Sequence, residues 1–130
     1  MISFTIPLVP RTKKNSSQML MNRKTKKLYP APSRAFLRYQ EDAGWHIPHK
    51  NAMINKRLNV KCVFYMDVDY ANSKAVIDLV GLLQAVDDTL VHYRVIADDN
   101  CRIIVSHDGS HVLHDRERPR TEIEITEVET

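Results

Sequence analysis

The segment from Ile77 to Asn100, IDLVGLLQAVDDTLVHYRVIADDN, carries a long amphipathic pattern bounded by acidic residues at both ends. Its apolar residues recur three and four positions apart, which is the spacing of one helix face lying on a core. That stripe consists of Leu79, Leu82, Leu83, Val86 and Leu90. The sequence therefore predicts a helix that packs on a core through this stripe.

The clearest strand pattern in the chain precedes this helix, in the segment RLNVKCVFYMDV. Apolar residues alternate strictly with their neighbours from Leu58 to Met66, as they do in a half-buried strand. The N-terminus shows the same alternation from Ile2 to Leu8, and Pro10 ends it. Both segments predict strands that each turn one face towards the interior.

The remaining segments complete an α+β pattern. Ser33 is a suitable N-cap for a helix that Pro48 stops, and the apolar side of this helix comprises Phe36, Leu37, Tyr39, Gln40 and Ala43. CRIIVS and RTEIEITEV read as strands, with HDGS as a hairpin turn between them. Short apolar pieces at 19–21 and 28–29 could form a weak hairpin. We predict one domain over residues 1–130, a mixed β-sheet with two main helices packed on one face.

Composition limits the size of the fold and its location. A chain of 130 residues with 43% hydrophobic content can bury one core but not two independent ones. It has neither a run of eighteen apolar residues nor the pattern of a signal peptide, so we expect no membrane contact and a cytoplasmic location. Cys62 and Cys101 lack the spacing of a zinc site and are expected to be reduced thiols.

Positive charge is concentrated in one segment between Arg11 and Arg38, which contains no Asp or Glu. Its basic residues are Arg11, Lys13, Lys14, Arg23, Lys24, Lys26, Lys27, Arg34 and Arg38. A basic rim beside an acidic centre suits a phosphodiester held over metal ions, because cationic side chains neutralise phosphates while carboxylates bind the cations. The alternative is a merely solvated basic loop.

The acidic centre is predicted at Asp78, Asp98 and Asp99. Asp78 lies at the helix start, and a returning loop after the helix could bring Asp98 and Asp99 to the same end. Mg²⁺ prefers such oxygen ligands and commonly takes one or two carboxylates, with water and phosphate completing the octahedron. Asp98, Asp88, or the upstream Asp67 and Asp69, could supply ligands to a second cation. Alternatively, Asp78 is only an N-cap, and Asp98 and Asp99 form an ordinary turn.

Asp78 begins an Asp-Leu-x-x-Leu motif, and an Asp-Asp pair follows twenty residues later. The motif comes after a Lys/Asn loop, a Ser-led helix and a strand. This arrangement resembles the RusA family of Holliday-junction resolvases. The closing SHDGSHVLHDRERPRTEIEI is similar to the Gram-positive and phage forms. The resemblance covers nearly the whole chain. It implies a homodimer that binds four-way DNA junctions and cuts two strands symmetrically with Mg²⁺ or Mn²⁺.

Position by position, the resemblance assigns Asp78, Asp88, Asp98 and Asp99 to family aspartates. It also places phosphate contacts in the basic loop, at Lys13, Lys14 and Asn15, followed by Arg23, Lys24, Lys26 and Lys27. The departures are Val80 where the family has Asp or Thr, Gly81 for Asn, Gln84 for Lys or Glu, and Arg94 for Gly. Since Val80 cannot bind metal and Gln84 carries no charge, a junction-binding protein with weakened or lost catalysis is the alternative.

Two other sets of residues have competing interpretations. His107, His111 and His114 flank the Asp-Gly turn and could bind metal or act as a base, but we predict surface histidines. Tyr39 and Trp45 could stack on exposed bases, but helical spacing favours a place in the core. The apolar stripe also predicts that Asp87 faces solvent.

Overall fold

Within the residues described by this computed structural model, which are 1–13, 18–31, 33–72 and 77–129, the chain forms a five-stranded sheet, a separate two-stranded ribbon and two helices. The strands are β1 (Ile2–Ile6), β2 (Gln18–Met21), β3 (Leu28–Ala31), β4 (Leu58–Met66), β5 (Ile104–Ser106), β6 (His111–His114) and β7 (Arg120–Glu127). The helices are α1 (Arg34–Ala43), continued by a 3-10 turn (Gly44–His46), and α2 (Leu79–His92). None of the described helices has the length and apolar character needed to cross a bilayer.

Strand β4 is the centre of the main sheet. It pairs antiparallel with β7, and β7 pairs antiparallel with β1. On its other edge β4 pairs in parallel with β5 near its start and with β6 near its end. The sheet is therefore mixed, as predicted.

The two faces of this sheet differ in character. Val60 is paired with Ile125 and Cys62 with Ile123, and all four are buried beneath the helices. Lys61 lies on the opposite face, where its Nζ is 3.4 Å from Oε2 of Glu124. Inward Ile123 and Ile125 alternate with partly exposed Glu122 and Glu124, which confirms the predicted pattern of the closing strand.

Both helices pack on the same face, as predicted. Oγ of Ser33 accepts a hydrogen bond from the backbone N–H of Phe36, which confirms Ser33 as the N-cap of α1. Gln40 on α1 donates from Nε2 to Oγ1 of Thr89 on α2 across 3.4 Å. Leu82, Val86 and Leu90 of the predicted α2 stripe are buried in the core, with Leu79 and Leu83 partly buried beside it. Leu37 departs from the predicted apolar side of α1, since 45% of it is exposed.

The predicted hairpin between CRIIVS and RTEIEITEV is wrong. The Asp-Gly turn follows β5, as expected, but it leads into β6 rather than into the closing strand. Strand β7 instead lies between β1 and β4, where all eight of its residues pair with β4 and five of them also pair with β1. The three-residue β5 offers too short an edge for such a partner. The weak hairpin predicted near residue 20 is confirmed as the β2–β3 ribbon.

Candidate functional site

Asp78 begins α2 as its N-cap. Its Oδ1 accepts a hydrogen bond of 2.7 Å from the backbone N–H of Gly81. Thr12 packs against this turn closely enough that a Cβ added at Gly81 would lie 3.3 Å from its methyl group. Asp78 therefore caps α2 through one carboxylate oxygen, and its role in catalysis or metal binding stays a prediction.

Asp88 lies ten residues further along the chain, in the second half of α2. Its Oδ2 is 2.8 Å from Nζ of Lys13, and both side chains are only partly exposed. This ion pair attaches the start of the basic segment to α2. Two residues that the resemblance assigns to different roles, Lys13 as a phosphate contact and Asp88 as a metal ligand, are thus direct neighbours.

Asp98 and Asp99 follow α2 in an exposed turn. Oδ1 of Asp98 accepts from the N–H of Asp99 at 2.7 Å, and Oδ2 of Asp98 accepts from Nδ2 of Asn100 at 3.1 Å. The pKa of Asp99 is raised, mainly by desolvation and then by the neighbouring Asp98 and Asp88 carboxylates. The turn interpretation is therefore confirmed for Asp98, and Asp99 lies within the electrostatic field of Asp88.

The carboxylates are distributed along α2. A helix rises about 1.5 Å per residue, so Asp78 and Asp88 are roughly 15 Å apart along its axis. The charge of Asp88, on the far half of the helix from Asp78, contributes to the raised pKa of Asp99. In the described parts of the chain, no three His, Cys, Asp or Glu side chains form a group able to hold a metal ion. A three-carboxylate centre at one helix end is not observed, and metal binding by fewer of these ligands stays a prediction.

Asp67 and Asp69 follow the end of β4. Asp67 lines a cleft of about 190 Å³ together with Arg11, Ser33 and Tyr70. Asp69 accepts hydrogen bonds from the N–H of Ala71 and from Nδ2 of Asn72, and these bonds lower its pKa. Asp69 therefore stabilises a local turn, whereas Asp67 faces a cleft beside a cation.

The histidine prediction is wrong for His107. Its Nδ1 is 2.7 Å from the carbonyl oxygen of Val60, and its Nε2 is 3.0 Å from Oδ2 of Asp87. Asp87 is also not solvated, because only 13% of its side chain is exposed. A signal was present in the sequence: Asp87 lies four residues after Leu83 and three before Leu90, on the same helix face. His111 and His114 are exposed, as predicted.

The basic residues lie in three settings. Lys13 is paired with Asp88, whereas Lys14 and Asn15 lie outside the described residues. The remaining predicted contacts are all exposed around the tip of the β2–β3 ribbon, and they are Arg23, Lys24, Lys26 and Lys27. The predicted phosphate contacts at the ribbon tip are thus accessible, whereas Lys13 is partly buried in its ion pair.

The two aromatic residues of the first helical segment differ. Tyr39 is buried, as predicted, and burial raises its pKa to about 12. Trp45 is 85% exposed, so its predicted place in the core is wrong. It belongs to the 3-10 turn that follows α1, where the change in helical pitch turns its side chain away from the core.

Comparison with known proteins adds no identification to this geometry. No protein-family model matches the sequence, and no characterised protein is significantly similar to it.

Proposed function

We propose that this chain is a metal-dependent endodeoxyribonuclease that resolves four-way DNA junctions during recombination and repair. The observation that carries the proposal is the contact between Lys13 and Asp88. Lys13 pairs with Asp88 at 2.8 Å, and the charge of Asp88 helps to raise the pKa of Asp99. A basic segment that approaches mutually repelling carboxylates supports a site for phosphate and cation together.

A divalent cation fits the donor chemistry of this place. Asp88 and Asp99 are oxygen donors whose repulsion Mg²⁺ or Mn²⁺ would relieve, and Asp98 adjoins them. When bound, the cation would supply an activated water and stabilise the leaving oxygen in phosphodiester hydrolysis. Lys13 would exchange its contact with Asp88 for one with a phosphate. Asp78 is assigned a further carboxylate role through the resemblance to the RusA family.

The proposed substrate implies a homodimer. A four-way junction has approximate two-fold symmetry, and symmetric cutting of two strands requires two sites related by a two-fold axis. Sedimentation of the protein with and without junction DNA tests this directly. A cytoplasmic location follows from the same proposal, since the substrate is chromosomal or phage DNA.

Cleavage of a synthetic four-way junction in Mg²⁺ or Mn²⁺ tests the activity. We expect paired nicks from the unmodified protein and loss of cutting in Asp99→Asn. Asp42→Asn is a matched control, because it removes one carboxylate on the exposed side of α1 and should leave cutting unchanged. Equal cutting by the unmodified protein and Asp99→Asn contradicts the proposal.

The second candidate is a junction-binding protein of the same fold with weakened or lost catalysis. It is favoured by Val80, which is 73% exposed on α2 where the RusA pattern has an Asp or Thr, and by exposed Gln84. Tight, salt-sensitive binding without cutting in any divalent metal selects this candidate.

Restoration of cutting in Val80→Asp with Gln84→Lys would strengthen the second candidate. Gly81 should be left unchanged in this variant. A Cβ at that position would lie 2.5 Å from Oδ1 of Asp78 and would disturb the helix cap.

A further inference from the structure

The β2–β3 ribbon exposes two large apolar side chains side by side. Met21 and Leu28 form its last cross-strand pair before the tip, and they are 58% and 65% exposed. Directly opposed residues of an antiparallel pair have Cβ atoms about 5 Å apart, on the same face of the ribbon. The two side chains therefore form one small apolar patch in solvent, which we call the ribbon wedge.

Cationic side chains surround the ribbon wedge. Four of them lie in the six residues that join Met21 to Leu28, and all four are exposed: Arg23, Lys24, Lys26 and Lys27. The first acidic residue of the whole chain is Glu41. An apolar patch beside four exposed cations matches a ligand that offers apolar surface between anionic groups.

The tip that carries these cations has a defined shape. Oδ1 of Asn22 accepts hydrogen bonds from the N–H groups of Lys24 and Thr25, at 2.9 and 3.3 Å. The N–H of Asn22 donates to the carbonyl of Lys27 at 2.9 Å, which closes the turn. A preformed tip loses little conformational freedom when it enters a ligand.

We propose that the ribbon wedge inserts between base pairs of branched DNA and unstacks them while the tip cations hold the flanking phosphates. This inference rests on the proposed function for the identity of the ligand. Leu and Met are among the side chains that DNA-binding proteins insert between base steps. Unstacking costs least where pairing is already interrupted, as it is at the crossover of a junction.

An anionic lipid surface is the competing ligand for a patch of this composition. DNA is favoured because the basic segment that contains the ribbon also reaches the acidic site through Lys13 and Asp88. A membrane would not account for that second contact. The wedge is also only two side chains at the end of a ribbon, whereas surface-binding helices bury a long apolar face.

Fluorescence of 2-aminopurine placed at the centre of a four-way junction tests the wedge, because this base brightens when it is unstacked. The measurement is made in EDTA, so its outcome does not depend on cleavage. The wedge variant is Met21→Ser with Leu28→Ser. Its matched control is Met53→Ser with Leu37→Ser, which removes two apolar side chains that are 49% and 45% exposed elsewhere.

We expect the unmodified protein and the control to brighten the junction probe but not the same base within plain duplex. The wedge variant should lose the brightening and bind the junction about tenfold more weakly, with duplex binding unchanged. Lys24→Gln with Lys27→Gln should instead weaken binding to both DNAs and reduce the salt dependence by about two phosphate contacts.

Three results overturn the inference. Tight junction binding without brightening removes the wedge and leaves the proposed function standing. Brightening that persists in the wedge variant assigns the unstacking to other residues. Binding to vesicles with anionic headgroups, lost in the wedge variant and accompanied by no DNA binding, selects the lipid and removes the proposed function as well.

Discussion

Nε2 of His107 lies 3.0 Å from Oδ2 of Asp87, so a histidine that leaves strand β5 is joined to helix α2. The other ring nitrogen, Nδ1, faces the carbonyl oxygen of Val60 on β4 at 2.7 Å. Both neighbours are acceptors when Asp87 is ionised, and only an imidazolium can donate to both. With Asp87 ionised, one imidazolium therefore connects α2 to two strands.

Stability should decrease as this imidazolium loses its proton. The hydrogen bond to Asp87 raises the pKa of His107 above its ordinary value of 6.5. A raised pKa in the folded state gives stabilisation that is complete below 6.5 and is lost as pH rises through the folded pKa. Desolvation also raises the pKa of Asp87 above its ordinary value of 3.8. This shift likewise makes the folded state less stable as pH rises from 3.8 through the folded pKa of Asp87.

Thermal unfolding between pH 5.5 and 9 measures this effect. One proton corresponds to a slope of at most about 1.4 kcal/mol per pH unit in the free energy of unfolding. The melting temperature of the unmodified protein should fall across this range more steeply than that of His107→Gln. His111→Gln is the control, because His111 is exposed and should leave the slope unchanged. Parallel pH profiles for all three proteins would contradict the prediction.

The Arg94 backbone predicts a stabilising substitution. Arg94 has φ of +57°, in the left-handed region that glycine adopts without strain. Its N–H donates to the carbonyl of Val91, and the N–H of Val95 donates to that of Leu90, which together form a Schellman ending of α2. Arg94→Gly should raise the free energy of unfolding by about 0.5–1 kcal/mol, since Gly at this position removes the strain. Urea unfolding measures the gain, and an equal gain in Arg94→Ala would show that it has another cause.

Close packing at Gly44 predicts a destabilising substitution. A Cβ at this position would lie 2.8 Å from Cε1 of Tyr93, whose hydroxyl donates to the carbonyl of Gln40 at 2.7 Å. Gly44→Ala should therefore cost about 1–3 kcal/mol, because the ring must move and its hydrogen bond to α1 must break. Gly44→Ala in a Tyr93→Leu background should cost much less. A double-mutant cycle, measured by urea unfolding, gives the interaction free energy between the two positions. Additive costs would show that Gly44 acts without Tyr93.

Regular periodicity made most of the fold predictable from the sequence. Leu58 to Met66 and the α2 stripe repeat at two and at three to four residues, and Ser33 and Asp78 are caps by residue type. The partner of β7 could not be predicted in this way, because alternation identifies a strand but not its neighbours. The pairing of β7 with both β1 and β4 depends on the whole sheet.

The candidate site was less predictable, for a similar reason. The resemblance to the RusA family pointed to Asp88 and Lys13 separately, but their contact joins residues seventy-five positions apart in sequence, and no local pattern encodes it. The prediction that Asp78 and Asp99 lie together assumed that the loop after α2 returns to the start of the helix. The Schellman ending at Arg94 instead directs the chain to Ile54, where Ile96 forms a bridge, near the far end of the helix.

The Lys13–Asp88 ion pair predicts opposite effects of one substitution on two ligands. Lys13 and a divalent cation compete for the same carboxylate, so Lys13→Gln should tighten Mn²⁺ binding roughly three- to tenfold in the absence of DNA. The same change removes the phosphate contact proposed for Lys13, so junction affinity should fall and its salt dependence should decrease by about one phosphate contact. Calorimetry with Mn²⁺ and salt-dependent DNA binding measure the two effects.

Arg11→Gln is the matched control for Lys13→Gln, because it removes a nearby exposed cation that lies at the Asp67 cleft instead. It should weaken DNA binding without changing Mn²⁺ affinity. Asp88→Asn should abolish the difference between the Lys13 variant and the unmodified protein, since the contested carboxylate is then absent. Equal Mn²⁺ affinity with and without Lys13 would show that the cation binds away from Asp88. It would contradict the proposal that the basic segment lies beside the metal site.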